Sequence, residues 1–453
     1  MQPLPKEFEE QMKRLLGEAG FFAYLDALNQ PYTRALRVNL LLRPDGTPSC
    51  PIEGLGAPVP WAKGAYFVEG DARPGLSPLH EGGLFYMQEP SALTAVTALD
   101  PQPGERVLDL CAAPGGKSTQ IAALMAGRGL LCCNEPIPSR AQILSRNIER
   151  MGVRNAVVLS AMPDALAPRF PAFFDRILVD APCSGEGMFR RQPEARDEWD
   201  ADAPRRCADR QMEILAQAAK MLRPGGTMVY STCTFNDTEN EGVLKRFLAL
   251  HPEFSLVPFA LPGLPEAKDG YLHLYPHEMR GEGHFVSRLK KADGADEADA
   301  PVQAAPQRKA PARAAAKGKA SAPIALPDVF SDAFAPERLY TAGDALWMLP
   351  EGIPIERLSG LRVLRTGLLL AHAEGKRSEP DHALAMALRP EEAARTASLT
   401  QTQALAYQAG ETLSLGDLPG GYTLLCCEGV SLGWGKQAGG LMKNHYPKGL
   451  RRR

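Results

Sequence analysis

The stretch from Arg106 to Ser118 constrains the fold of this chain more than any other part of the sequence. A short apolar run that carries Asp109 gives way to small residues and Pro-Gly-Gly, and a helical pattern follows directly over residues 119–124. This order predicts a strand, a tight loop and a helix. Gly115 and Gly116 lack a Cβ, so the loop backbone and the helix N-terminus can approach a ligand closely.

The residues of this loop decide among several ligand-binding patterns. A phosphate-binding P-loop requires a glycine where Cys111 stands, and the Gly-x-Gly-x-x-Gly of a dinucleotide site is absent. A doubly wound methyltransferase remains, with a ribose-binding acid expected roughly 20 residues beyond the loop by analogy with dinucleotide folds. Glu135 stands there, just after the apolar run 130–133. An ordinary strand-to-helix turn is the alternative for the loop taken alone.

Residues from about 100 to 290 alternate short apolar runs with helical patterns, which predicts a parallel sheet covered by helices on both faces. Ligands of open α/β sheets bind beyond the carboxyl ends of the strands, so the residues that follow each run are the informative ones. A helical stripe over residues 212–222 is predicted to end at Pro224-Gly-Gly. The predicted strands are Val107–Leu110, Leu130–Cys133, Ala156–Leu159, Arg176–Asp180 and Thr227–Ser231.

Two cysteines follow the last two predicted strands of this region. Cys183 lies in Asp180-Ala-Pro-Cys-Ser-Gly-Glu-Gly, and Cys233 lies in Ser-Thr-Cys-Thr-Phe-Asn. A single free cysteine is more often a small buried hydrophobe than a reactive group. Two cysteines that each follow a strand, one of them close to an aspartate, instead favour side chains that line the same cleft. Downstream, Asn236 and Glu239 are predicted to be a helix N-cap and its N3 partner.

The sequence outside this region predicts separate units. An N-terminal helix carries an apolar stripe that predicts packing, and residues 291–323 are a low-complexity segment that predicts a disordered linker. The N-terminal stripe comprises Phe8, Met12, Leu15, Leu16 and Phe22. From residue 324 onward, short strands with glycine turns are predicted at Leu361–Leu364, Gly367–Ala371, Tyr422–Cys427 and Val430–Trp434.

The C-terminal segment combines cations with aromatic rings. This combination suits contact with a nucleic-acid backbone together with base stacking, and a solvated basic tail is the alternative. The residues concerned are Lys436, Lys443, Lys448, Arg451, Arg452 and Arg453, interleaved with Trp434, His445 and Tyr446. The stretch Phe189-Arg190-Arg191 is likewise predicted either to contact RNA or to be a solvated surface.

Composition excludes several classes of protein. No apolar run reaches the roughly 18–20 residues of a membrane span, and the charged first ten residues argue against a secretory signal. Nine cysteines with no Cys-x-x-Cys pair indicate neither a disulfide framework nor a zinc site. We therefore expect a cytoplasmic protein without a metal or a membrane partner. The net charge of −2, taken over the whole chain, does not indicate nucleic-acid binding.

Several motifs together resemble the Nop/Sun family of RNA cytosine-C5 methyltransferases, in particular the bacterial ribosomal RNA type with a PUA-like C-terminal domain. The motifs are Asp-Leu-Cys-Ala-Ala-Pro-Gly-Gly-Lys, Asp-Ala-Pro-Cys-Ser-Gly, Thr-Cys-Thr, Gly-Trp-Gly-Lys-Gln and Lys-Asn-His-Tyr-Pro-Lys-Gly-Leu-Arg, in the order of the family.

The resemblance implies an α/β fold, with a doubly wound Rossmann-like methyltransferase core, an N-terminal α+β domain and a C-terminal PUA-like α+β domain. The expected divisions are 1–100 for an N-terminal RNA-binding or packing domain, 101–290 for the core, 291–323 for the linker and 324–453 for the PUA-like RNA-binding domain.

The resemblance also implies a cofactor and the residues that hold it. S-adenosylmethionine is expected against Glu135 through its ribose, with Asp180 near its methionine or the target base. Met162 or Asp164 stands where an adenine contact is expected. The loop expected to hold the cofactor comprises Cys111, Ala112, Ala113, Pro114, Gly115, Gly116 and Lys117.

The family assigns the attack on cytosine C6 to the cysteine that is Cys233 here, and release of the methylated product to Cys183. Asp180 is expected to donate a hydrogen bond or a proton to N3 of the base. A thiol at its reference pKa of about 8.5 is mostly protonated at neutral pH, and Lys117 is one source of activation. Attack by Cys183, as in DNA cytosine methyltransferases, is the rival assignment.

The resemblance implies ribosomal RNA of the small subunit, free or within the subunit or its precursor, as the partner, and transfer RNA is the alternative substrate. A non-catalytic RNA-binding assembly factor would bind the cofactor without transferring a methyl group. A methyltransferase for a small molecule or a protein is a third class, which the basic, aromatic C-terminus disfavours.

Overall fold

A computed structural model describes residues 3–294, 324–331, 334, 336–374 and 377–452 of the chain. The N-terminal part combines a helix with an antiparallel sheet in the order β2-β3-β1-β4. Its elements are α1 (Lys6–Leu28), β1 (Ala35–Val38), β2 (Leu55–Pro58), β3 (Ala65–Val68), α2 (Pro78–Glu81) and β4 (Phe85–Met87).

Helix α1 buries Phe8 and Met12 as its apolar stripe predicts, but Phe22 is 60% exposed. The backbone at Gly17 adopts a positive φ of 69°, which interrupts the helix between its two halves. Phe21, and not Phe22, is therefore the aromatic residue that is buried in the second half of the helix. The prediction of one continuous apolar stripe is wrong beyond Gly17.

The central part is a mixed sheet in the order β10-β12-β9-β8-β5-β6-β7-β15, with β11 paired to β12. Strands β5 to β9 are parallel, and the chain order reverses between β5 and β8. The elements are α3 (Thr94–Leu99), β5 (Arg106–Asp109), α4 (Gly116–Leu124), β6 (Leu130–Asn134), α5 (Pro138–Arg150), β7 (Ala156–Leu159), α6 (Pro163–Leu166), β8 (Phe174–Asp180), α7 (Glu194–Glu198), α8 (Ala203–Met221), β9 (Leu222–Thr232), α9 (Glu241–Leu250), β10 (Phe254–Leu256), β11 (Tyr271–Leu274), β12 (His284–Lys291) and β15 (Val363–Arg365).

Both faces of the parallel strands are buried, which explains why their sequences are continuously apolar. Successive residues enter two different hydrophobic clusters, Val107 and Leu131 on one face and Leu108 and Cys132 on the other. The predicted strands and the doubly wound arrangement of this core are confirmed.

Three details of the core differ from the predictions. Helix α8 ends at Met221, and β9 begins at Leu222, so Pro224-Gly-Gly lies inside the strand rather than after the helix. Strands β10, β11 and β12 are antiparallel additions at one edge. Lys291 is the last residue of β12, and residues 295–323 of the predicted linker lie outside the described residues.

The C-terminal part contains two further sheets, β13-β14-β16-β17 and β18-β19-β20-β21. Helix α11 begins with a capping box between Thr400 and Gln403 and ends at Gly410, whose φ is 97°. The elements are β13 (Leu339–Ala342), β14 (Ala345–Met348), β16 (Leu368–Glu374), β17 (Arg377–Pro380), α10 (His382–Ala387), β18 (Thr396–Ser398), α11 (Gln401–Ala409), β19 (Gly421–Cys427), β20 (Val430–Ala438) and β21 (Leu441–Asn444).

The C-terminal part contacts both other parts of the chain. Strand β15 pairs antiparallel with β7 and so extends the core sheet. Gln408 Nε2 donates to the Pro78 carbonyl at 3.0 Å, and Arg452 Nη2 donates to the Ser77 carbonyl at 2.9 Å, which ties the C-terminus to the N-terminal domain.

Candidate active site

The loop between β5 and α4 lies at the point where the strand order reverses, which is where open α/β sheets bind ligands. The side chain of Asn134 holds this loop: its Nδ2 donates to the Leu110 carbonyl and to the Ala161 carbonyl, at 3.2 and 3.0 Å. Gly115 has a φ of 114°, and a Cβ there would lie 3.2 Å from Leu144 Cδ1. Glycine is therefore required for this close approach of the loop to α5.

Asp109 lies beneath the loop and is fully buried. Its Oδ2 accepts a hydrogen bond of 2.6 Å from Ser118 Oγ. Burial raises the pKa of Asp109 to about 7, although the Ser118 hydrogen bond opposes the shift. Asp109 thus joins the end of β5 to the first turn of α4.

Glu135 follows β6 and is 2% exposed. Its Oε1 accepts a hydrogen bond of 3.0 Å from the Ile137 amide, and its Oε2 lies 3.4 Å from Arg140 Nη1. Arg140 also donates to the Ala113 carbonyl at 3.2 Å, so one half-exposed cation connects the acid to the loop.

Met162 and Asp164, the two residues considered for an adenine contact, lie at the start of α6 after β7. Met162 is 60% exposed, and Asp164 is exposed in the first turn of the helix. Both side chains face solvent on the same end of the parallel strands as the loop.

Asp180 ends β8 and connects three strands through its carboxylate. Lys117 Nζ donates to Oδ2 at 2.7 Å, Ser231 Oγ donates to Oδ1 at 2.8 Å, and His284 Nε2 lies 3.6 Å from Oδ1. Burial by itself raises the pKa of Asp180, but Lys117 and His284 outweigh it and lower the pKa below its usual range. Asp180 is therefore ionised at neutral pH.

The partners of Asp180 are largely covered by the protein, and their charges follow from this geometry. Burial by itself lowers the pKa of Lys117, but the Asp180 carboxylate more than offsets this and raises it. Burial, and next the nearby Lys117 ammonium, lower the pKa of His284. The result is a charged Lys117–Asp180 pair beside a neutral imidazole.

Cys183 and Cys233 meet beyond the ends of β8 and β9, with their Sγ atoms 3.3 Å apart. The contact with Cys233, and next burial, raise the pKa of the Cys183 thiol well above its ordinary value. The Cys183 thiol is therefore protonated at neutral pH, and either sulfur atom can donate in the contact between them. Lys117 interacts electrostatically with Cys233 and is the cation that connects the thiols to Asp180.

Four models of protein families match successive parts of the chain. The N-terminal domain of 16S rRNA methyltransferase RsmF matches residues 4–90, and 16S rRNA methyltransferase RsmB/F matches residues 96–290. The first C-terminal domain of the RsmF rRNA methyltransferase matches residues 327–388, and the methyltransferase RsmF PUA domain matches residues 394–452.

Relatives extend this similarity over almost the whole chain. The ribosomal RNA small subunit methyltransferase F of Erwinia tasmaniensis is 34% identical over 464 residues, which cover 98% of this chain and 96% of the relative. The protein of the same name from Enterobacter sp. strain 638 is 35% identical, and the match covers 98% of this chain and 95% of the relative.

The chain belongs to the ribosomal RNA small subunit methyltransferase F family. As a member of this family it is an RNA methyltransferase, as the sequence motifs predicted. The predicted Rossmann-like core and PUA-like C-terminal domain are confirmed as well.

Two solved structures support the fold of the methyltransferase F family member described here. A methyltransferase homolog protein from Pyrococcus horikoshii is 30% identical, with a TM-score of 0.54, over 63% of this chain and 95% of that chain. NSun6 from Pyrococcus horikoshii, solved with SFG, has a TM-score of 0.55 at 23% identity, over 64% of this chain and 99% of that chain. The second likeness concerns the fold alone.

Several side chains that the sequence offered for RNA contact are part of the interior of this family member. Phe189 is fully buried, and Arg190 forms an ion pair with Glu282 in which both side chains are at most 8% exposed. Trp434 and Tyr446 are 2% and 4% exposed, so their rings pack in the core and do not stack on bases. Those four interpretations were wrong, because distant partners cover these side chains.

The exposed cations of these two segments are fewer than predicted. Arg191, Lys443 and Lys448 are exposed. Lys436 lies over the Tyr422 ring, with its Nζ 4.6 Å from the ring centroid, and Arg452 packs against the N-terminal domain. Arg453 lies outside the described residues.

Sequence reasoning missed His284 and Asn134 as site residues. His284 lies more than a hundred positions after Asp180 in the chain and reaches it only because β12 is antiparallel to β9. For Asn134 the available signal was a polar side chain at the end of an otherwise apolar strand, whereas β12 contains several polar residues and gave no such signal for His284. The capping prediction is partly right: Asn236 Oδ1 accepts from the Glu239 amide at 2.8 Å, but the helix begins at Glu241.

Within the described ranges, no helix is long and apolar enough to cross a membrane. The same ranges contain no group of three or more His, Cys, Asp or Glu side chains arranged to hold a metal ion.

Proposed function

We propose that this methyltransferase uses S-adenosylmethionine to methylate C5 of cytosine in small-subunit ribosomal RNA, through a covalent adduct between Cys233 and C6. The observation that carries the proposal is the 3.3 Å separation of the Cys183 and Cys233 sulfur atoms beside the Lys117–Asp180 pair. Two neighbouring thiols can divide the addition at C6 and the release of the product between them.

The two thiols divide the reaction between them. Addition of a Cys233 thiolate forms the sulfur–C6 bond and moves the electron pair of the C5–C6 double bond toward C5, which becomes nucleophilic. After methylation, Cys183 loses its own proton to solvent and, as a thiolate, removes the proton from C5. The electron pair re-forms the double bond and expels the Cys233 thiolate. We assign the attack to Cys233 by the resemblance to the family, and Lys117 interacts electrostatically with this thiol.

The cleft has a donor set that fits S-adenosylmethionine. Glu135 offers a buried carboxylate to ribose hydroxyls, and Lys117 and Asp180 carry charges complementary to the carboxylate and ammonium of the methionine. The loop of residues 111–117 adds backbone amides and the N-terminus of α4. Met162 or Asp164 is proposed to face the adenine. The cofactor, when bound, supplies an electrophilic methyl group.

The ionised Asp180 changes the role that sequence reasoning gave it. A carboxylate accepts hydrogen bonds and cannot donate one to N3 of the base. In the ligand-free geometry Asp180 orients Lys117, whose ammonium is a donor. Donation by Asp180 itself stays a prediction and requires that Asp180 gain a proton when RNA binds.

The choice of substrate follows the relatives, which are named as ribosomal RNA small subunit methyltransferases. The C-terminal match to an RsmF PUA domain adds a second region suited to RNA. A ribosomal substrate implies action in the cytoplasm.

The test is a denaturing gel of the protein incubated with unmodified small-subunit RNA and S-adenosylmethionine. We expect Cys183→Ala to accumulate a covalent RNA adduct, because release fails, and Cys233→Ala to form none. Cys50→Ala, which alters a half-buried thiol that packs between the N-terminal and C-terminal parts, is the matched control and should behave as wild type.

The opposite gel pattern would assign the attack to Cys183. If wild type produces no 5-methylcytosine and no variant forms an adduct, with transfer RNA as well as ribosomal RNA, the proposed reaction is wrong and a binding role is favoured.

A further inference from the structure

A buried carboxylate from each thiol loop binds backbone amides of the other loop. Glu186 follows Cys183 in the chain, and its Oε2 accepts from the amides of Phe235 and Asn236, at 2.8 and 3.0 Å. Those amides directly follow the Cys233 segment. Gln11 of α1 donates to the other oxygen of Glu186 at 2.9 Å, so the N-terminal domain also holds this acid.

The second contact runs in the opposite direction. Glu239 follows Cys233, and its Oε2 accepts from the amide of Ser184 at 3.1 Å, the residue next to Cys183. Gln211 of α8 donates to the same oxygen at 2.7 Å. Burial raises the pKa of Glu239, and the hydrogen bonds from Ser184, Asn236 and Gln211 oppose that shift.

Asn236 joins the two carboxylates. Its Nδ2 donates to Glu186 Oε1 at 3.1 Å and to Glu239 Oε1 at 2.8 Å. Glu186, Asn236 and Glu239 are at most 1% exposed. Gly187 completes the connection, because its amide donates to the Cys233 carbonyl at 2.8 Å.

Two buried carboxylates this close together oppose folding unless their hydrogen bonds are well made. Hydrogen bonds to a charged acceptor are short and directional, so such an arrangement fixes backbone positions more precisely than apolar packing does. The two sulfur atoms stand on the segments that are fixed in this way.

We propose that Glu186, Asn236 and Glu239 form a reciprocal clamp of positioning residues. In this clamp, Glu186 positions the backbone beside Cys233 for the attack, and Glu239 positions the backbone beside Cys183 for the release. The assignment rests on the proposed function, because it divides that reaction into its two thiol steps. Each acid acts on the thiol of the opposite loop, since its hydrogen bonds hold the backbone beside that thiol.

The experiment compares Glu186→Gln and Glu239→Gln by rapid quenching of reactions with small-subunit RNA and S-adenosylmethionine. Adduct formation and 5-methylcytosine release are measured separately on denaturing gels and by nucleoside analysis. In each variant one carboxylate oxygen becomes an NH₂ group, which cannot accept the N–H hydrogen bonds that this oxygen receives. Glu241→Gln is the matched control, because this acid at the start of α9 pairs with His273 outside the clamp.

We expect Glu186→Gln to slow adduct formation about 10- to 100-fold, since small displacements of a reacting group have effects of this size. Glu239→Gln is expected to form the adduct at nearly the wild-type rate and to accumulate it, with release slowed by a similar factor. Glu241→Gln should change neither step.

Equal effects of both variants on both steps, or no effect on either, would overturn the clamp. If Glu186→Gln does not fold, Gln11→Ala replaces it, and if Glu239→Gln does not fold, Gln211→Ala replaces it, because both changes leave the acids in place. Gln11→Ala should slow adduct formation about 3- to 10-fold and leave release unchanged, and Gln211→Ala should do the reverse. Unchanged formation or unchanged release would overturn the role of Glu186 or of Glu239, respectively. Absence of 5-methylcytosine from wild type would instead contradict the proposed function itself.

Discussion

At the scale of single residues, Asp180 connects the proposed cofactor and base sites. Its carboxylate binds Lys117 from the loop after β5 and Ser231 from the end of β9. His284 approaches the same carboxylate from β12 as a neutral imidazole. One ionised side chain therefore contacts groups from α4, β9 and β12, which explains why an acid is placed at this half-buried point.

Asp109 carries a prediction about pH and stability. Its pKa is raised to about 7 in the folded protein, so between about pH 4 and 7 the folded state binds more protons than the unfolded state. Its contribution to stability is therefore complete below about pH 4 and is lost as the pH rises toward 7. Asp109→Asn should raise the free energy of unfolding relative to wild type by about 1–3 kcal/mol more at pH 8 than at pH 5.

Urea titrations at both pH values measure this difference. Asp164→Asn, at an exposed aspartate, is the control and should show no such dependence on pH. A constant difference between wild type and Asp109→Asn from pH 5 to pH 8 would show that Asp109 is not protonated by burial.

At the scale of elements, α1 supports the loops that carry the thiols. Phe8 lies edge-on against Phe189, with ring centroids 4.9 Å apart, and Tyr24 contacts Phe235 in the same way at 5.7 Å. Phe189 and Phe235 belong to the segments after Cys183 and Cys233. The N-terminal helix therefore packs directly on the loops that carry the two thiols as well as on its own domain.

The pairing of β15 with β7 yields a prediction for the junction with the C-terminal part. Arg365 of β15 forms an ion pair with Glu149 of α5, with the arginine side chain 4% exposed. Arg365→Ala leaves the partly buried Glu149 without this cation, and we expect a loss of about 2–4 kcal/mol in the free energy of unfolding. The double variant Arg365→Met, Glu149→Met should recover most of it, because no unpaired charge remains.

Urea unfolding followed by circular dichroism measures both variants. If the double variant is as unstable as Arg365→Ala alone, packing of β15 rather than the ion pair determines the stability of this junction.

At the scale of the whole molecule, the C-terminal part contacts the two parts that precede it in the chain. The C-terminal part contacts the core through β15 and the N-terminal domain through Gln408 and Arg452. These contacts do not depend on the segment 295–323 that connects the parts in sequence. Cleavage within that segment should therefore leave two associated fragments.

A protease site inserted after Ala305 tests this expectation by size-exclusion chromatography after cleavage. We expect both fragments to elute together at the volume of the intact protein, and the same cleavage in the Arg365→Ala background to weaken their association. Separate elution of the wild-type fragments would show that the covalent connection is what keeps the parts together.

The sequence alone determined the features that depend on local patterns. A strand, a glycine-containing loop and a helix are encoded within residues 106–124, and the alternation of such units specifies a parallel sheet. Because the carboxyl ends of parallel strands share one edge, the positions of Cys183 and Cys233 after two strands were enough to predict that they meet.

The tertiary structure decided whatever depends on partners far apart in the chain. The antiparallel β12 brings His284 to Asp180, and Gln11 reaches Glu186 only because α1 packs across the thiol loops. Arg190 and Trp434 looked like RNA contacts until their distant neighbours were known. A charge or a ring has the same sequence pattern in the interior and at the surface, and only packing determines whether it is free to bind.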